Sequence, residues 1–262
     1  MRRWCIVAFV LAAAISFAPS VARAAGWVNV CSFDHRLGDN PIEEPGDPGA
    51  SELYDFFGNK STDAFSTYRS LLHHNTSCDM NADKAAYWAP ALKSGGHFRK
   101  PSSVKIYYRT NTTPVSDIEP YPRGLKIVAG NSDAKRPQLL RYVSWGCGDQ
   151  EYDHPIDCGA DNIVAHINFP TCWDGKRKDS GNHKRHMSYP HDGKCGKRHP
   201  VPVPRLIIRI EWPVHDGRHV RLSSGPYYTL HADFFNAWRQ HRLSQLVHDC
   251  INADVNCGTP GS

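Results

Sequence analysis

Hydrophobic and polar residues alternate with a period of two in several short stretches of the chain. The clearest are residues 104–109 and 206–212, where apolar side chains recur at every second position. This alternation is typical of strands with one buried face and one exposed face. Shorter apolar runs bounded by Gly, Pro, Asn or Asp predict further strands at residues 125–129, 139–145 and 163–169. Short strands separated by such turn-forming residues favour a mainly β fold, an antiparallel β-sandwich-like single domain with long loops.

Two stretches have a helical period instead. In residues 62–74, apolar side chains recur at three- and four-residue spacing after Thr62, a suitable N-cap. In residues 232–250, apolar side chains from Phe235 to Cys250 share one side of a helical wheel. We therefore expect a few peripheral helices, the last of them at the C-terminus.

The first residues have the pattern of a secretory signal peptide. A basic start at Arg2 and Arg3 is followed by an apolar stretch at residues 4–17 and a small-residue site ending at Ala24. We predict a signal peptide over residues 1–24 and one globular domain over residues 25–262, exported to the extracellular or periplasmic space. The apolar stretch is too short to cross a hydrocarbon layer of about 30 Å, so we expect no stable membrane anchor.

The charge of the chain changes once this segment is set aside. Lys and Arg number 31 against 26 Asp and Glu, a formal +5, and three of the basic residues lie in the first 24 positions. The remaining +2 provides no general electrostatic reason for binding nucleic acid. A composition of 40% hydrophobic and 22% charged residues can bury a core, which excludes a disordered chain. We expect a monomer.

Eight cysteines follow the predicted signal peptide, and an even number in an exported chain predicts four disulfides. Counting does not determine their connectivity, and pairing sequence neighbours is the simplest choice. Cysteine ligation of zinc is disfavoured because no two cysteines have the short spacing of zinc sites. The predicted pairs are Cys31 with Cys78, Cys147 with Cys158, Cys172 with Cys195, and Cys250 with Cys257.

The richest stretch for chemistry is residues 169–190. It places Asp174, Asp179, His183 and His186 within thirteen positions. The two histidines would share one face of a helical turn, and a nearby Asp could orient one ring. The group could act as general acid and base, bind a metal, or form a hydrogen-bonded network under a loop. Candidate substrate-binding residues in the same stretch are Trp173, Lys184, Arg185 and Tyr189.

A second candidate pair, His231 and Asp233, lies where the C-terminal helix is predicted to begin. Asp233 at that place could cap the first turn and interact with the helix dipole, which is a structural role. A functional role requires His231 to point toward the other histidines. Both residues are retained as catalytic candidates.

Basic residues are concentrated beside the histidines. Residues 171–205 contain nine Lys and Arg against three Asp. An acidic polysaccharide or a phosphate polymer would be attracted to such a segment. The alternative is an ordinary solvated loop.

The stretch from Phe169 to Pro190, with its Cys-Trp-Asp-Gly, Asp-Ser and His-x-x-His-Met-x-Tyr elements, resembles a family of secreted proteins known as the domain of unknown function numbered nineteen ninety-six. Further matches lie along nearly all of the chain after the signal segment, including residues 55–59, 86–90, 122–125, 199–204 and 230–234. The resemblance implies export. It also implies an extracellular glycan as partner, because fungal members often carry WSC-type modules associated with cell-wall carbohydrate. It implies no established activity.

The sequence departs from the family pattern at one position of interest. Ser51-Glu52-Leu53-Tyr54 stands where the family usually reads Ser-His-x-His. Two histidines are therefore absent, and Glu52 and Tyr54 could serve as an oxygen ligand and a hydroxyl donor in their place. Both are candidates for substrate binding.

Three hypotheses for the function follow. The first is an exported protein that binds extracellular or cell-wall polysaccharide. The second is a secreted polysaccharide hydrolase that uses Asp174 or Asp179 with His183 or His186, assisted by His231. The third, a metal-dependent lyase or hydrolase with His183, His186 and His231 as ligands, is weakened by the loss of histidines at positions 52 and 54. We expect neither a metal nor another cofactor.

Overall fold

Antiparallel strands make up most of the secondary structure. A computed structural model describes residues 24–148 and 150–260, so the predicted signal peptide lies outside the described residues except for its last position. In chain order the strands are β1 (Gly26–Cys31), β2 (Phe33–Leu37), β3 (Tyr54–Gly58), β4 (Ala86–Pro90), β5 (Leu92–Ser94), β6 (His97–Phe98), β7 (Ser103–Arg109), β8 (Lys126–Gly130), β9 (Val143–Cys147), β10 (Gln150–Tyr152), β11 (Ile163–Asn168), β12 (Cys172–Trp173), β13 (Met187–Ser188), β14 (Val201–Pro202), β15 (Arg205–Trp212), β16 (Arg221–Leu222), β17 (Gly225–Pro226) and β18 (His231–Phe235).

The helices are short. They are α1 (Tyr68–Leu72) and α2 (Gln240–Leu246), and a π-helical segment at Val247–Asn252 continues α2. Two 3₁₀ turns lie at Val115–Asp117 and Tyr227–Thr229. Among the described residues, none of the helices has the length and apolar character needed to cross a membrane.

Two large sheets build the fold. One has six strands in the order β1-β7-β15-β11-β9-β10, and the other has five in the order β2-β3-β4-β18-β8. The main hydrophobic core draws on both, with Ile106 and Ile208 from the first sheet and Tyr87, Ile127 and Phe234 from the second. This confirms the prediction of a mainly β, sandwich-like fold with a few helices.

The outer face of the five-stranded sheet carries a second apolar layer. Side chains alternate along each strand, so Ala232 and Phe234 of β18 face the main core while His231, Asp233 and Phe235 face outward. Phe56 and Trp88 lie on that outer face. Ile42, from the loop between β2 and β3, and Leu71 of α1 pack over them. Polar side chains on this face are therefore buried rather than solvated.

The predicted strands at residues 104–109, 125–129, 163–169 and 206–212 are present with boundaries shifted by one residue at most. The strand predicted at residues 139–145 begins only at Val143, because residues 139–142 form a turn in which Tyr142 and Val143 both donate to the carbonyl of Leu139. The alternation in β7 and β15 matches their burial, in which every second residue is buried.

The helix predicted over residues 62–74 is wrong in its first half. Thr62 is buried and donates its hydroxyl to the carbonyl of Asn59 at 3.1 Å, so it is not an N-cap. The helix begins after Thr67, whose hydroxyl accepts from the Ser70 amide at 3.1 Å in a capping box. Phe65, which the helical period placed among the buried residues, is 63% exposed.

The helix predicted over residues 232–250 is also wrong in its first half. Residues 231–235 form β18, which pairs with β4 on one side and β8 on the other. Both neighbours offer backbone partners and a buried place for Ala232 and Phe234, and this tertiary pairing outweighs the helical spacing of the apolar residues. Asp233 therefore does not cap a helix.

All four predicted disulfides are confirmed. Cys31 bonds to Cys78, Cys147 to Cys158, Cys172 to Cys195, and Cys250 to Cys257. Four such bonds are typical of a protein that folds in an oxidising compartment.

Candidate functional site

The site lies on the outer face of the five-stranded sheet, around the first residues of β18. His231 pairs in register with Gly130 of the edge strand β8. Gly130 has a φ of 81°, and a Cβ there would lie 2.7 Å from the carbonyl oxygen of Leu230. Glycine thus allows the close approach of β8 that holds His231 in place.

His231 is buried and has partners at both ring nitrogens. Its Nδ1 donates to the carbonyl of Thr229 at 2.9 Å, and its Nε2 lies 2.9 Å from the hydroxyl of Tyr54. Burial lowers the pKa of His231, so the ring is neutral near pH 7. With its proton on Nδ1, the ring accepts the Tyr54 hydroxyl proton at Nε2.

Tyr54 remains protonated. Burial raises its pKa far above the ordinary value, and the neighbouring Asp233, Glu52 and Glu43 raise it further. The Tyr54 oxygen also lies 3.4 Å from Nδ2 of Asn40, which can donate to it. Tyr54 therefore links Asn40 to His231.

Two partly exposed carboxylates end this series of contacts. Asn40 Nδ2 donates to Oε2 of Glu43 at 3.2 Å, and Oε1 of Glu52 lies 3.4 Å from Nε2 of His231. The Glu52 side chain is 26% exposed, whereas that of His231 is 1% exposed. We call Glu43, Asn40, Tyr54, His231 and Glu52 the polar chain. It runs from one solvent-accessible carboxylate to another through three buried side chains.

Asp233 lies beside the polar chain in an apolar setting. It is fully buried between Trp88 of β4 and Val128 of β8. Among the described residues neither carboxyl oxygen has a hydrogen-bond partner of good geometry, although the Asn40 side chain lies near enough to lower the pKa of Asp233 slightly. Burial raises the pKa of Asp233 well above its ordinary value, and the negative charge of Glu43 adds to the effect. The carboxyl group is therefore protonated near pH 7.

A loop from Asp174 to His186 covers the edge strand β8. The Lys126 amide donates to the carbonyl of Lys178 at 2.9 Å, and Nε2 of His186 donates to the carbonyl of Lys126 at 2.6 Å. Lys184 Nζ donates to the carbonyl of Gly130 at 2.9 Å, and its positive charge partly offsets the raised pKa of Asp233. The loop thus protects a sheet edge and brings one cation beside the polar chain.

The two histidines of this loop have separate partners. His186 is buried, with Nδ1 lying 3.0 Å from the Ser180 hydroxyl and Nε2 bonded to the backbone, and burial lowers its pKa. His183 has a φ of 56° and contacts Asp179 at 2.9 Å, as the expectation of an orienting Asp required. Residues 181–184 form turns, so the two rings do not share the face of a helix. For His186 the contacts favour the interpretation of a hydrogen-bonded network.

Asp174 is also engaged within its own loop. Its carboxylate accepts from the amides of Lys176 and Arg177 at 2.9 Å and from the Arg177 side chain at 2.6 Å. Burial would raise the pKa of Asp174, but these hydrogen bonds outweigh it and hold the pKa below its ordinary value. Such a carboxylate is a poor proton donor near pH 7.

The structure thus brings together four sequence candidates, Glu52, Tyr54, His231 and Asp233, with Lys184 beside them. Trp173 donates its indole N–H to the carbonyl of Arg177, and Tyr189 donates its hydroxyl to the carbonyl of Asn168. The contacts of these two residues, and those of Arg185, lie away from the polar chain.

Sequence reasoning missed Asn40 and Glu43. They lie in an irregular loop that has no periodic pattern of apolar residues. The only local signal there is the three-residue spacing of Asn40 and Glu43, which is typical of a turn that begins at an Asn. In such a turn, the side-chain oxygen Oδ1 of Asn40 accepts hydrogen bonds from the backbone amides of Ile42 and Glu43. Within the described ranges, no group of three or more His, Cys, Asp or Glu side chains is arranged to hold a metal ion.

Comparison with known families gives one match. The model of the family described as domain of unknown function (DUF1996) matches residues 40–238, more than half of the chain. The chain belongs to this family. All five residues of the polar chain, and Asp233, lie inside the DUF1996 match. Neither a curated protein nor a solved structure matches the chain.

Proposed function

We propose that the protein is an exported enzyme that hydrolyses an extracellular polysaccharide, with Glu52 as its acid and Glu43 as its base. The observation that carries the proposal is the polar chain, in which two solvent-accessible carboxylates are joined through Asn40, Tyr54 and His231. A pair of carboxyl groups is the usual equipment for cleaving a glycosidic bond. Export is supported by the four disulfides, and the polysaccharide by the family resemblance.

Glu52 is assigned the role of acid because it is the partly exposed carboxyl group beside the buried, neutral ring of His231. Nε2 of His231 lies 3.4 Å from Glu52 and carries no proton when the ring is neutral with Nδ1 bonded to Thr229. Glu52 gives its proton to the glycosidic oxygen as the bond from that oxygen to the anomeric carbon breaks. After the bond has broken, Glu52 regains a proton from solvent water, to which its partly exposed side chain has access.

Glu43 is assigned the role of base. It takes a proton from the water molecule whose oxygen bonds to the anomeric carbon, so that atoms and charges balance. Asn40 holds Glu43 Oε2 at 3.2 Å and is itself fixed by the two backbone amides of its turn. This preorganisation limits the side-chain entropy lost when a substrate binds.

Burial explains why Tyr54, His231 and Asp233 are not assigned a direct contact with substrate. Each is at most 1% exposed. Their role is to position Glu43 and Glu52 and to hold protons. The buried, protonated Asp233 adds no negative charge between the two glutamates, which would otherwise repel each other more strongly.

Binding without cleavage is the competing function. A polysaccharide-binding surface commonly offers exposed aromatic rings on which sugar rings stack. Here five of the six described tryptophans are buried in the interior, and the sixth, Trp173, is partly buried with its N–H already bonded. The buried carboxyl group of Asp233 beside the polar chain lowers the stability of the fold, and a surface that only binds does not need it.

The test is release of reducing ends from a panel of neutral and acidic extracellular polysaccharides. We expect turnover by the wild type and a loss of about 100-fold or more in Glu52→Gln and Glu43→Gln. Glu44→Gln is the matched control, because Glu44 is exposed in the same loop and has no side-chain contact with the polar chain among the described residues. The unfolding temperatures of all three variants should match that of the wild type, which checks that each variant folds.

Two results would overturn the proposal. One is a wild type that binds a polysaccharide on the panel without cleaving any of them, which establishes the binding function. The other is cleavage that Glu52→Gln and Glu43→Gln retain, or an unsaturated product detected by its ultraviolet absorbance, which shows elimination instead of hydrolysis.

A further inference from the structure

A concavity of about 830 Å³ lies on the outside of the loop that covers β8. Its lining includes five basic side chains from two segments of the chain and one acidic side chain, Asp174. The basic residues are Lys176, Arg177, Arg185, Lys197 and Arg198. We call these five residues the basic pocket.

Most of this positive charge is not neutralised. Arg177 pairs with Asp174 at 2.6 Å. Within residues 24–148 and 150–260, no carboxylate oxygen lies within 4.0 Å of the charged groups of the other four. Four unpaired cations around one concavity create a positive potential that attracts an anionic ligand.

The two basic segments are fixed to each other. The carbonyl of Arg185 accepts from Nε2 of His199 at 2.9 Å and from Arg177 Nη2 at 3.3 Å. Beneath them, β12 pairs with both β13 and β14. The Cys172–Cys195 disulfide closes the loop that contains the first basic segment and ends two residues before the second. The cations are therefore presented by a supported loop, which reduces the entropy lost on binding.

The basic pocket adjoins the site of the proposed enzyme. Lys184 reaches inward to the carbonyl of Gly130, the register partner of His231, while the next residue, Arg185, lines the basic pocket. Consecutive residues thus belong to the two sites. A polymer that extends from the basic pocket past Lys184 would approach the strand pair that holds His231.

We propose that the basic pocket binds the acid groups of an anionic polysaccharide, and that this is the substrate class of the enzyme; the second part rests on the proposed function. Arg side chains suit carboxylate and sulfate groups because the guanidinium fork can donate two hydrogen bonds to them. Nucleic acid is a poorer fit. Beyond residue 24 the formal charge is only +2, and exposed tryptophan surface for stacking bases is lacking among the described residues.

The experiment measures binding of the full exported chain to polygalacturonate and to dextran sulfate, with neutral dextran as the uncharged control. We expect binding to at least one anionic polymer, a loss of affinity as salt is added, and no binding to dextran. The variant Lys197→Glu/Arg198→Glu should bind about tenfold more weakly or worse. The matched control is Lys135→Glu/Arg136→Glu, an exposed basic pair outside the pocket, which should change affinity by less than about threefold.

The inference is overturned if neither anionic polymer binds, if both double variants weaken binding equally, or if single-stranded DNA binds as tightly as the better polysaccharide. Failure of the enzyme proposal is detected separately. The wild type is incubated with the same polymers and assayed for released reducing ends, which reports on cleavage and not on binding in the pocket. If the wild type binds but does not cleave, and only Lys197→Glu/Arg198→Glu weakens the binding, the pocket is supported and the enzyme is overturned.

Discussion

The hydroxyl of Tyr54 donates to Nε2 of His231 across 2.9 Å, although the two residues are 177 positions apart in the chain. The bond joins β3 to β18, which are separated in the sheet by β4. It exists because both side chains point to the outer face, where loop residues cover them. It makes the centre of the polar chain a product of the tertiary fold.

Removal of this hydroxyl tests its role directly. Tyr54→Phe keeps the ring that packs edge-on against His231 and deletes only the donor. We expect a loss of about 1 kcal/mol in the free energy of unfolding, measured by urea titration, because Nε2 of His231 is left without its main partner. We also expect a fall of about tenfold or more in turnover, with substrate affinity nearly unchanged.

The control for this change is Tyr228→Phe. The hydroxyl of Tyr228 makes no hydrogen bond to another described residue, so this variant should match the wild type in stability and turnover. An equal loss of turnover in both variants would contradict the role of Tyr54.

Gly130→Ala tests the close approach of β8 to β18. The new Cβ would lie 2.7 Å from the carbonyl oxygen of Leu230 and 2.9 Å from Cα of His231, and both are backbone atoms that cannot move aside. We expect destabilisation of about 2 kcal/mol or more, together with loss of turnover as His231 is displaced.

Gly96→Ala separates crowding from backbone strain. Gly96 has a φ of 79°, close to the 81° of Gly130, but a Cβ there meets no atom within 4 Å. This variant should cost only the strain of a left-handed residue, about 1 kcal/mol, and leave turnover unchanged. If both variants unfold at the same denaturant concentration, the contact with β18 is not what requires glycine.

Asp83 gives the stability of the fold a pH dependence. The carboxyl group is fully buried and accepts from Asn29, Tyr87 and the amide of Ala85. Burial raises the pKa of Asp83 to about 7, against a value of 3.8 for the unfolded chain. Between these two pH values the folded state holds a proton that the unfolded state has released, so stability falls as the pH rises.

The expected loss is up to ~1.4 kcal/mol for each pH unit across this interval, and stability should level off above about pH 7. Urea unfolding at several pH values measures the slope. Asp83→Asn removes the titrating group and should flatten the curve, even though it loses an acceptor and is less stable at low pH. A slope that is the same in Asp83→Asn would assign the effect to another group.

Asp233 should show the same sign of pH dependence. Its pKa is raised chiefly by burial, so deprotonation at higher pH costs folding energy. Asp233→Asn resembles the protonated acid in shape and polarity. We expect this variant to equal the wild type in stability at acidic pH and to exceed it above neutral pH, as measured by thermal unfolding. A variant that is less stable at every pH would show that Asp233 accepts a hydrogen bond essential to the fold.

Local patterns in the sequence predict much of the fold and only part of the site. The strands β7 and β15 are predicted well because one side chain in two is buried, and the disulfides because each cysteine pairs with its neighbour in sequence. Residues 232–235 are assigned to a helix because the apolar residues that follow them have helical spacing, and the pairing with β4 and β8 involves segments about 145 and 105 positions away, respectively.

The residues of the site that could be predicted are those that a motif or the pattern of neighbouring residues makes conspicuous in the sequence. His231 and Asp233 stand out as polar residues among apolar neighbours, and the family resemblance indicates Glu52 and Tyr54. Asn40 and Glu43 could not be predicted, because their role depends on a loop folding back over Tyr54. The expectation that His183 and His186 share one face of a helical turn was wrong for a related reason, since each finds a different partner within reach of its own turn.

The disulfide between Cys172 and Cys195 has a consequence for resistance to proteolysis. The loop it encloses carries exposed basic residues at positions 176–178, which are the residues that trypsin-like proteases cut after. A single cut there leaves both new ends covalently attached to the same molecule, with β12, β13 and β14 still paired. The basic pocket and the cover of β8 are thus built to tolerate a nick that would release an unbridged loop.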